Sequence, residues 1–469
     1  MSCCSVVRRS VVLATLVVGV FALVACRGAA PLSSAGLSEE DGAASSNTEA
    51  GGGGGGVAGG DVGGDDARAD ATADGAEKSG DASGLSASPA SVNEAAIRLS
   101  LQRGVRWLVS KQNDDGGFGP TEINPRLAGS SDVGMTALCL YAIARAPESL
   151  RGNIDQVVDR AVQFLLQRQQ RDGSFYDPRD PSLQNYKTSV TGLALLTIDR
   201  DKYGEQIDRG VEFVKAQQFS EARGYDPDKD VHYGGIGYGN RSKVKSDLSN
   251  TNYALEFLHE AGESGSSSVF ERAQQFLTRA QNSADGDPLR RAAGVRTTGD
   301  GGFAYSADST RGPVESLDDG SERFSSYGSM SYAGLKSFLH AQVQRDDPRV
   351  KEVYRWIRMN YTVMENPGMA RPEDPVSGRQ GLYYYFHTMS KALDAYGEPV
   401  IVDAHGHRQD WARDLSARIV GLQKGSGYWI NEADRWMEGL PEITTSFSLL
   451  ALTICLEGIE SRSDAPAEK

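Results

Sequence analysis

Polar side chains, several of them acidic, basic or imidazole groups, recur where the apolar, helix-like segments of the sequence begin. Seven residues hold such positions: Asp132, Lys187, Asp247, Asn252, Tyr327, His387 and Glu442. Carboxyl and imidazole groups transfer protons when they share a concave, partly desolvated pocket. The catalytic candidates among the seven are therefore Asp132, Asp247, His387 and Glu442. They form one site only if the fold brings these segment ends together.

A second group of carboxylates consists of Asp318 and Asp319, which follow Glu315. Clustered carboxylates raise the pKa of one member and so make it a proton donor. The surrounding segment is polar and contains Gly and Ser, which is typical of a solvated or calcium-attracting loop. Asp318 and Asp319 are catalytic candidates beside that alternative.

Three potential metal ligands, Asp403, His405 and His407, alternate along the chain. An extended backbone would place them on one face. The alternative is a turn after Pro399, in which Asp403 and His407 fix the backbone. We favour the turn, and we predict neither a bound metal nor another cofactor. The five cysteines contain no Cys-x-x-Cys pair, so neither a zinc knuckle nor a redox motif is indicated.

Aromatic residues are concentrated in the same parts of the chain. The ligand-binding candidates are Tyr233, Tyr238, Tyr327, Tyr384 and His387. Rings of this kind stack on sugars or contact hydrocarbon. The alternative is that they pack between helical hairpins and hold them together.

Six amphipathic segments, each followed by a more apolar one, must position these residues. The pairs are 92–111 with 131–145, 157–169 with 186–198, 207–218 with 250–260, 269–281 with 327–340, 350–361 with 386–396, and 411–422 with 443–456. A helix that is apolar all round is buried, whereas a helix with one apolar stripe faces water. No polar capping repeat follows the last segment, which favours a closed ring. The sequence therefore predicts an all-α fold, an α/α-toroid of six hairpins.

A short motif ends several of the amphipathic segments. It reads Gln-x-x-x-Gly-x-aromatic at Gln112–Phe118, Gln169–Phe175 and Gln423–Trp429. Two further copies are irregular, with Gln218 paired to Gly224 and Gln281 paired to Gly301. Gly suits the left-handed helix end, Gln can bond free backbone groups, and the ring can pack between outer helices.

This motif resembles the QW motif (Gln-x3-Gly-x-Trp) of squalene and oxidosqualene cyclases. Over residues 92–458 the chain resembles the terpenoid cyclase/protein prenyltransferase superfamily, which implies a toroid around a cavity that takes isoprenoids in relatives. The Asp-x-Asp-Asp motif of class II cyclases is missing from the sequence. The zinc-ligand context of prenyltransferases is also missing around Cys139 and His387.

The N-terminal region reads as an export signal and a tether. Arg8 and Arg9 precede an apolar run that ends Leu-Val-Ala before Cys26. That ending resembles the lipobox of bacterial lipoproteins, which implies cleavage after residue 25 and lipidation of Cys26; the alternative is an ordinary signal peptide. We predict a signal peptide at 1–25, a disordered linker at 26–90, the toroid at 91–460 and a disordered tail at 461–469. The Gly-, Ala- and Asp-rich linker spans about 45 Å as a flexible coil.

These observations limit the function. The net charge of −14 argues against nucleic acid as a partner. We expect an extracytoplasmic protein, in the bacterial periplasm or on the cell surface, whose membrane partner is reached through the lipid on Cys26. We expect it to bind an apolar, glycan or peptide ligand in the central cavity. The alternative is an enzyme, either terpenoid cyclase-like or a polysaccharide lyase or hydrolase.

Overall fold

The computed structural model describes residues 93–239 and 245–463. The predicted signal peptide, the lipidation site Cys26, the linker and the end of the predicted tail lie outside the described residues. The last helix continues to Ser463, three residues beyond the predicted domain boundary of 460.

The described residues form fourteen α-helices. In chain order they are α1 (Glu94–Val109), α2 (Val133–Arg145), α3 (Glu148–Arg151), α4 (Asp155–Leu166), α5 (Gln184–Asp199), α6 (Gly204–Gln217), α7 (Leu248–Glu260), α8 (Ser268–Ala280), α9 (Pro288–Ala292), α10 (Gly328–His340), α11 (Pro348–Met359), α12 (Leu382–Tyr396), α13 (Trp411–Leu422) and α14 (Pro441–Ser463). The twelve long helices match the twelve predicted segments, with ends that differ by a few residues.

Six helices form a closed inner ring. Helix α2 packs on α5, α5 on α7, α7 on α10, α10 on α12 and α12 on α14, and α14 returns to pack on α2. The outer helices are α1, α4, α6, α8, α11 and α13. Burial separates the two layers: α2 is buried at nearly every position from Val133 to Ala144, whereas α4 buries only Ala161, Val162, Phe164 and Leu165. The predicted α/α-toroid is confirmed.

The last inner helix, α14, is both long and apolar. Its segment Pro441–Arg462 is long and apolar enough to cross a membrane, but 89% of the most apolar stretch is buried in the ring. The apolar composition of α14 is therefore explained by its place in the core.

Two small sheets interrupt the helical pattern. Strands β1 (Val295–Arg296), β2 (Val314–Ser316) and β3 (Glu322–Phe324) lie between α9 and α10 in the order β1-β3-β2. Strand β3 is parallel to β1 and antiparallel to β2. Strands β4 (Val400–Val402) and β5 (Arg408–Asp410) form an antiparallel hairpin between α12 and α13. Both sheets lie in segments that the sequence assigned to loops.

The Gln-Gly motif clamps five of the six outer helices to the next one; the exception is α11. The Gln112 side-chain amide donates to the Gly116 carbonyl at 2.9 Å and to the Val157 carbonyl of α4 at 2.8 Å. Gln423 donates to the Gly427 and Ser100 carbonyls, both at 2.9 Å. The same pair of bonds is made by Gln169, Gln218 and Gln281. Because Ser100 belongs to α1, the Gln423 clamp closes the outer ring.

The third clamp differs from the predicted one. Gln218 donates to the Gly234 carbonyl, so the partner is Gly234 and the predicted pairing with Gly224 is wrong. Gly234 has a φ of +84°, and a Cβ there would lie 1.9 Å from the Arg272 carbonyl oxygen, whereas Gly224 has open space around it. Only glycine fits the first position. The segment around Gly234 is therefore a clamp turn.

Candidate functional site

The N-termini of the inner helices lie at one end of the ring, because an outer helix returns the chain before each of them. Bonds between the helices confirm this arrangement. The Asn185 amide of α5 donates to the Asn250 carbonyl of α7 at 3.0 Å, and the Ser249 and Tyr384 hydroxyls of α7 and α12 are 2.8 Å apart. We call this end the entrance of the ring.

Asp247 is a buried acid at the entrance. It caps α7, accepting bonds of 2.8 Å from both the backbone and the side-chain amide of Asn250. The N-cap of α7 is thus Asp247. Burial raises the pKa of Asp247 to about 6, although its hydrogen bonds act in the opposite direction. The group therefore changes charge just below neutral pH.

Two tyrosines and an arginine surround this acid. The Tyr238 and Tyr305 hydroxyls are 2.8 Å apart, and the Arg311 guanidinium lies 4.8 Å from the centre of the Tyr305 ring. A hydrogen bond with the Tyr305 hydroxyl lowers the pKa of Asp247, but less than burial raises it. We call Asp247, Tyr238, Tyr305 and Arg311 the Asp247 cluster. It combines an acid with hydroxyl and guanidinium donors in one place.

A second acid at the entrance, Asp132, is paired with a lysine. Asp132 caps α2 through a 2.9 Å bond from the Met135 amide. The buried Lys187 ammonium lies 4.0 Å from the Asp132 carboxylate and donates to the Asp180 carboxylate at 2.9 Å. Asp132 is thus held by a backbone bond and a lysine, and it serves the fold of this corner.

An aromatic layer fills the axis of the ring below the entrance. Tyr253 of α7 lies 6.3 Å from Tyr384 and 6.4 Å from His387, both on α12. Phe447 of α14 completes the circuit, at 5.8 Å from Tyr384 and 5.3 Å from His387 between ring centres. Burial lowers the pKa of His387 well below its usual value, so the imidazole is neutral. The predicted candidates Tyr384 and His387 therefore meet in one layer.

A charged layer closes the axis below these rings. Glu256 of α7 accepts bonds from Lys336 of α10 and Lys391 of α12, and Lys391 also donates to the Tyr141 hydroxyl of α2 at 2.8 Å. We call Glu256, Lys336, Lys391 and Tyr141 the floor layer. Sequence reasoning missed it, although single charges inside otherwise apolar helices were a usable signal.

The pKa values of the floor layer follow from its charges. Burial acts to raise the pKa of Glu256, but the two ammonium groups outweigh it and hold that pKa well below its usual value. Burial lowers the pKa of Lys336 to about 8, and the Glu256 carboxylate raises the pKa of Lys391 against the effect of burial. The carboxylate is therefore ionised and fully paired.

Glu438 is another buried acid that sequence reasoning missed. It accepts a 2.8 Å bond from the Tyr384 amide and a 2.6 Å bond from the Asn431 side chain. Burial raises the pKa of Glu438 to about 7. Helix α12 begins after Gly381, which has no capping side chain, so Glu438 supplies the cap from a distant loop. No local sequence motif indicates that Glu438 caps α12.

Comparison with known proteins now bears on the fold. Residues 126–301, from just before α2 to just after β1, match the family described as the squalene-hopene cyclase C-terminal domain. Because of this similarity we call the ring the cyclase-like domain. The predicted resemblance to this superfamily is confirmed. A search of curated proteins found no similar sequence.

Solved structures resemble this cyclase-like domain at low sequence identity. The type II terpene cyclase MstE from Scytonema has 12% identity and a TM-score of 0.46, covering 77% of this chain and 98% of that one. The GH76A α-1,6-mannanase from a Salegentibacter species has 11% identity and a TM-score of 0.44, with coverage of 78% and 99%. A protein from Actinoplanes has 15% identity and a TM-score of 0.38, with coverage of 77% and 99%. Likeness at this level carries no activity over to this chain.

Several predicted site residues of the cyclase-like domain lie away from the entrance. Asp318 and Asp319 lie in an exposed turn between β2 and β3. Bonds from Ser321 and Arg296 lower the pKa of Asp319 to about 2, so its carboxyl group is ionised at neutral pH. Tyr233 donates to Glu221 at 2.6 Å, outside the Asp247 cluster.

The remaining candidates lie nearer the axis. Tyr327 precedes α10 at the N-cap position, and its ring lies against Gly312, one residue from Arg311. Glu442 lies in the first turn of α14, and one of its oxygens is buried without a hydrogen-bond partner among the described residues. Glu442 contributes to the field around Cys139 of α2, so it faces the first inner helix.

The possible metal ligands form the turn of a hairpin. Asp403 accepts bonds from the backbone amides of His405 at 2.8 Å and His407 at 2.9 Å. These residues connect β4 to β5, so the structure shows the turn that we favoured. Within the described residues, no group of three or more His, Cys, Asp or Glu side chains is arranged to hold a metal ion. The expectation of no cofactor stays a prediction.

Proposed function

We propose that the cyclase-like ring is a ligand-binding domain that takes its ligand at the entrance. The observation that supports this proposal is the Asp247 cluster. Asp247 is buried and has no salt-bridge partner among the described residues, and it lies beside the Tyr238 and Tyr305 hydroxyls. A buried acid without a cation is costly unless a ligand or neighbouring donors compensate it.

The chemistry of the entrance favours a polar ligand among the three expected classes. Hydroxyl, amide and guanidinium groups meet there, and hydrocarbon placed against them would leave them without hydrogen bonds. A glycan or a peptide supplies such bonds, and its less polar faces can lie on the tyrosine rings. The missing Asp-x-Asp-Asp motif further favours binding over cyclase chemistry.

A binding experiment tests this proposal. Full-length protein in detergent is titrated with soluble oligosaccharides and peptides by calorimetry. For a ligand that binds, we expect Tyr305→Phe to weaken affinity several-fold, because a hydroxyl bond is worth about 0.5–1.5 kcal/mol. Tyr354→Phe is the matched control, since Tyr354 donates to Glu398 on the outer ring at 2.7 Å. Equal affinities in both variants and the wild type would contradict the proposal.

We further propose that the domain is held outside the cytoplasm by a lipid on Cys26. The support is the lipobox-like sequence that ends at this cysteine. Cys26→Ser should move the protein from the detergent phase to the aqueous phase after Triton phase separation, and it should abolish fatty-acid labelling. Cys4→Ser is the control and should change neither result. Labelling that persists in Cys26→Ser would contradict the anchor.

An enzymatic function is the second candidate, and Asp247 is the residue that favours it. A carboxyl group with a pKa of about 6 is a proton donor at mildly acidic pH. The expected substrate is an isoprenoid or a polysaccharide. Mass spectrometry of substrate mixtures incubated with the protein would show a product, and Asp247→Asn would abolish it. Turnover that survives this substitution would remove Asp247 from the reaction.

A further inference from the structure

A pocket of about 550 Å³ lies beside the C-terminal end of the outer helix α6. Its wall is formed by the turn after α4, the start of α5, the end of α6 and the loop that follows α6. Six of the side chains that line it are polar or aromatic: Asp172, Tyr176, Gln184, Phe213, Gln217 and Arg223. The volume lies in the range of small-molecule sites, about 300–1,000 Å³. We call this space the α6 pocket.

Arg223 brings a positive charge to the α6 pocket. Its guanidinium donates to the Gln217 carbonyl at the end of α6 and lies 4.8 Å from the centre of the Phe219 ring. Burial lowers the pKa of Arg223, and Arg223 forms no salt bridge within the described part of the chain. A guanidinium can bind a carboxylate through two parallel hydrogen bonds. Arg223 is therefore suited to bind a carboxylate of a ligand.

Asp172 brings the opposite charge to the same pocket. One oxygen of its carboxylate accepts bonds from the Ser174 amide at 3.1 Å and from the Ser174 hydroxyl at 2.5 Å. The other oxygen makes no hydrogen bond with a described residue. Asp172 and Arg223 form no salt bridge with each other, although both line the pocket. Asp172 is therefore suited to bind an ammonium group of a ligand.

Three uncharged polar side chains also line the pocket. Tyr176, Gln184 and Gln217 are partly exposed, and their side chains make no hydrogen bond among the described residues. A glutamine side chain has two donors and an acceptor, which can pair with the C=O and N–H groups of a peptide bond. Phe213, which is 5% exposed, adds apolar surface to the wall.

This combination of groups narrows the class of ligand. A simple anion would be repelled by Asp172, and a simple cation would be repelled by Arg223. A neutral sugar would leave both charged groups without a partner, which weakens binding because they lose water. A short peptide with free ends carries an ammonium group, a carboxylate and amide groups in one molecule.

We propose that the α6 pocket binds a short peptide whose two ends are free. The amino end of the peptide binds Asp172, and its carboxyl end binds Arg223. The peptide groups between the ends bond to the side chains of Gln184 and Gln217. This site is separate from the entrance and does not depend on the proposed function.

Peptides with free and blocked ends test this proposal. Full-length protein in detergent is titrated by calorimetry with trialanine, trilysine and triglutamate, and we expect at least one of them to bind. Its N-acetylated form and its C-terminal amide should each bind about tenfold more weakly, because each loses a hydrogen bond between charged groups. Failure of all three peptides to bind, or equal binding of the free and blocked forms, would overturn the proposal.

Two substitutions assign the ends of the peptide. Asp172→Asn keeps an oxygen that can accept the bonds from Ser174 but removes the charge. It should lose the preference for a free amino end and keep the preference for a free carboxyl end. Arg223→Gln should do the reverse, which a general folding defect would not. Variants that keep both preferences would contradict the assignment.

Arg171→Gln is the matched control. Arg171 precedes Asp172 in the chain and is exposed, but it does not line the pocket. This variant should keep both preferences. A loss of the preference for a free carboxyl end as large as that in Arg223→Gln would indicate a general effect of surface charge and would overturn the proposal.

The outcomes also separate this site from the entrance. If Tyr305→Phe weakens the binding of a peptide, while Asp172→Asn and Arg223→Gln do not, the peptide binds at the entrance. The proposed function then stands and the α6 pocket proposal fails. If the two pocket variants change the preferences for free ends and Tyr305→Phe weakens no ligand, the pocket proposal stands and the entrance proposal fails.

Discussion

The two ends of the ring interior each bury a carboxyl group, and the two groups behave oppositely. Glu256 in the floor layer accepts bonds from Lys336 and Lys391, and its pKa lies well below the usual value. Asp247 at the entrance has only uncharged hydrogen-bond donors in contact, and burial raises its pKa to about 6. Similar burial thus gives opposite shifts, because the neighbouring cations differ.

This difference in pairing suggests different roles for the two carboxyl groups: Glu256 stabilises the fold, whereas Asp247 is available to a ligand. In the floor layer the carboxylate joins α7, α10 and α12, and its charge is more than neutralised. At the entrance the acid makes no salt bridge with the described residues, although the Arg311 guanidinium lies near it, and tyrosine hydroxyls surround it. Stability should therefore depend most on the floor, and binding most on the entrance.

The largest expected effect is on the floor. Glu256→Gln removes the carboxylate that Lys336 and Lys391 share, and so leaves two buried ammonium groups without their salt-bridge partner. We expect the free energy of unfolding at pH 7 to fall by about 3–5 kcal/mol. Urea denaturation followed by circular dichroism measures it. A loss below about 1 kcal/mol would mean that the floor layer does not hold the ring together.

Asp247→Asn should give a smaller effect of opposite sign. The folded pKa of about 6 lies above the usual value of 3.8, so the stabilisation is fully present below pH 3.8 and is lost as the pH rises through 6. Asparagine also caps helices and carries no charge. At pH 8 the variant should therefore unfold with a free energy higher by up to about 3 kcal/mol. A variant that is less stable at pH 8 than the wild type would break the contrast with Glu256.

Tyr238→Phe tests the hydroxyl pair at the entrance. The substitution removes the 2.8 Å bond to the Tyr305 hydroxyl and leaves the ring in place. We expect a loss of about 0.5–1.5 kcal/mol in the free energy of unfolding, well below that of Glu256→Gln. The same urea experiment measures it. A loss as large as that of the floor variant would show that the entrance is also structural.

Asp319→Asn should have the smallest effect. Asp319 is exposed in the turn between β2 and β3, and its partners Arg296 and Ser321 lie near the surface. Surface ion pairs contribute little because solvent screens them. The urea midpoint should stay within experimental error of the wild type. A clear shift would show that this pair is more than a solvated turn.

Local sequence patterns predicted the fold well. The alternation of amphipathic and apolar segments predicted the twelve long helices and their two layers. It could do so because the distribution of apolar residues around a helix indicates which of its faces are buried. The motif glycines marked the turns at Gly116, Gly173 and Gly427 correctly. Gly234 was missed because Ile236 stands where the motif has an aromatic ring, and because an inserted segment separates Gln218 from it.

The candidate site was only partly predictable, because its contacts join distant parts of the chain. The position of Asp132 at the start of α2 could be predicted, because it depends on neighbouring residues in the sequence. The neighbours of Asp247 could not be predicted, since Tyr305 and Arg311 come from the insertion that carries the small sheet. Glu438 reaches the start of α12 from a loop more than fifty residues away. Only the closed ring brings these groups together.

The most direct test of this account is a pH titration of the two carboxyl groups in the folded protein. Carbon-13 labelling of aspartate and glutamate carboxyls, read by NMR, assigns the signals through their loss in Asp247→Asn and Glu256→Gln. We predict that Asp247 titrates near pH 6 and that Glu256 stays ionised at every pH at which the ring remains folded. An Asp247 signal that titrates at or below the usual aspartate pKa of 3.8, or a Glu256 signal that titrates at or above the usual glutamate pKa of 4.5, would contradict the contrast on which the proposed function rests.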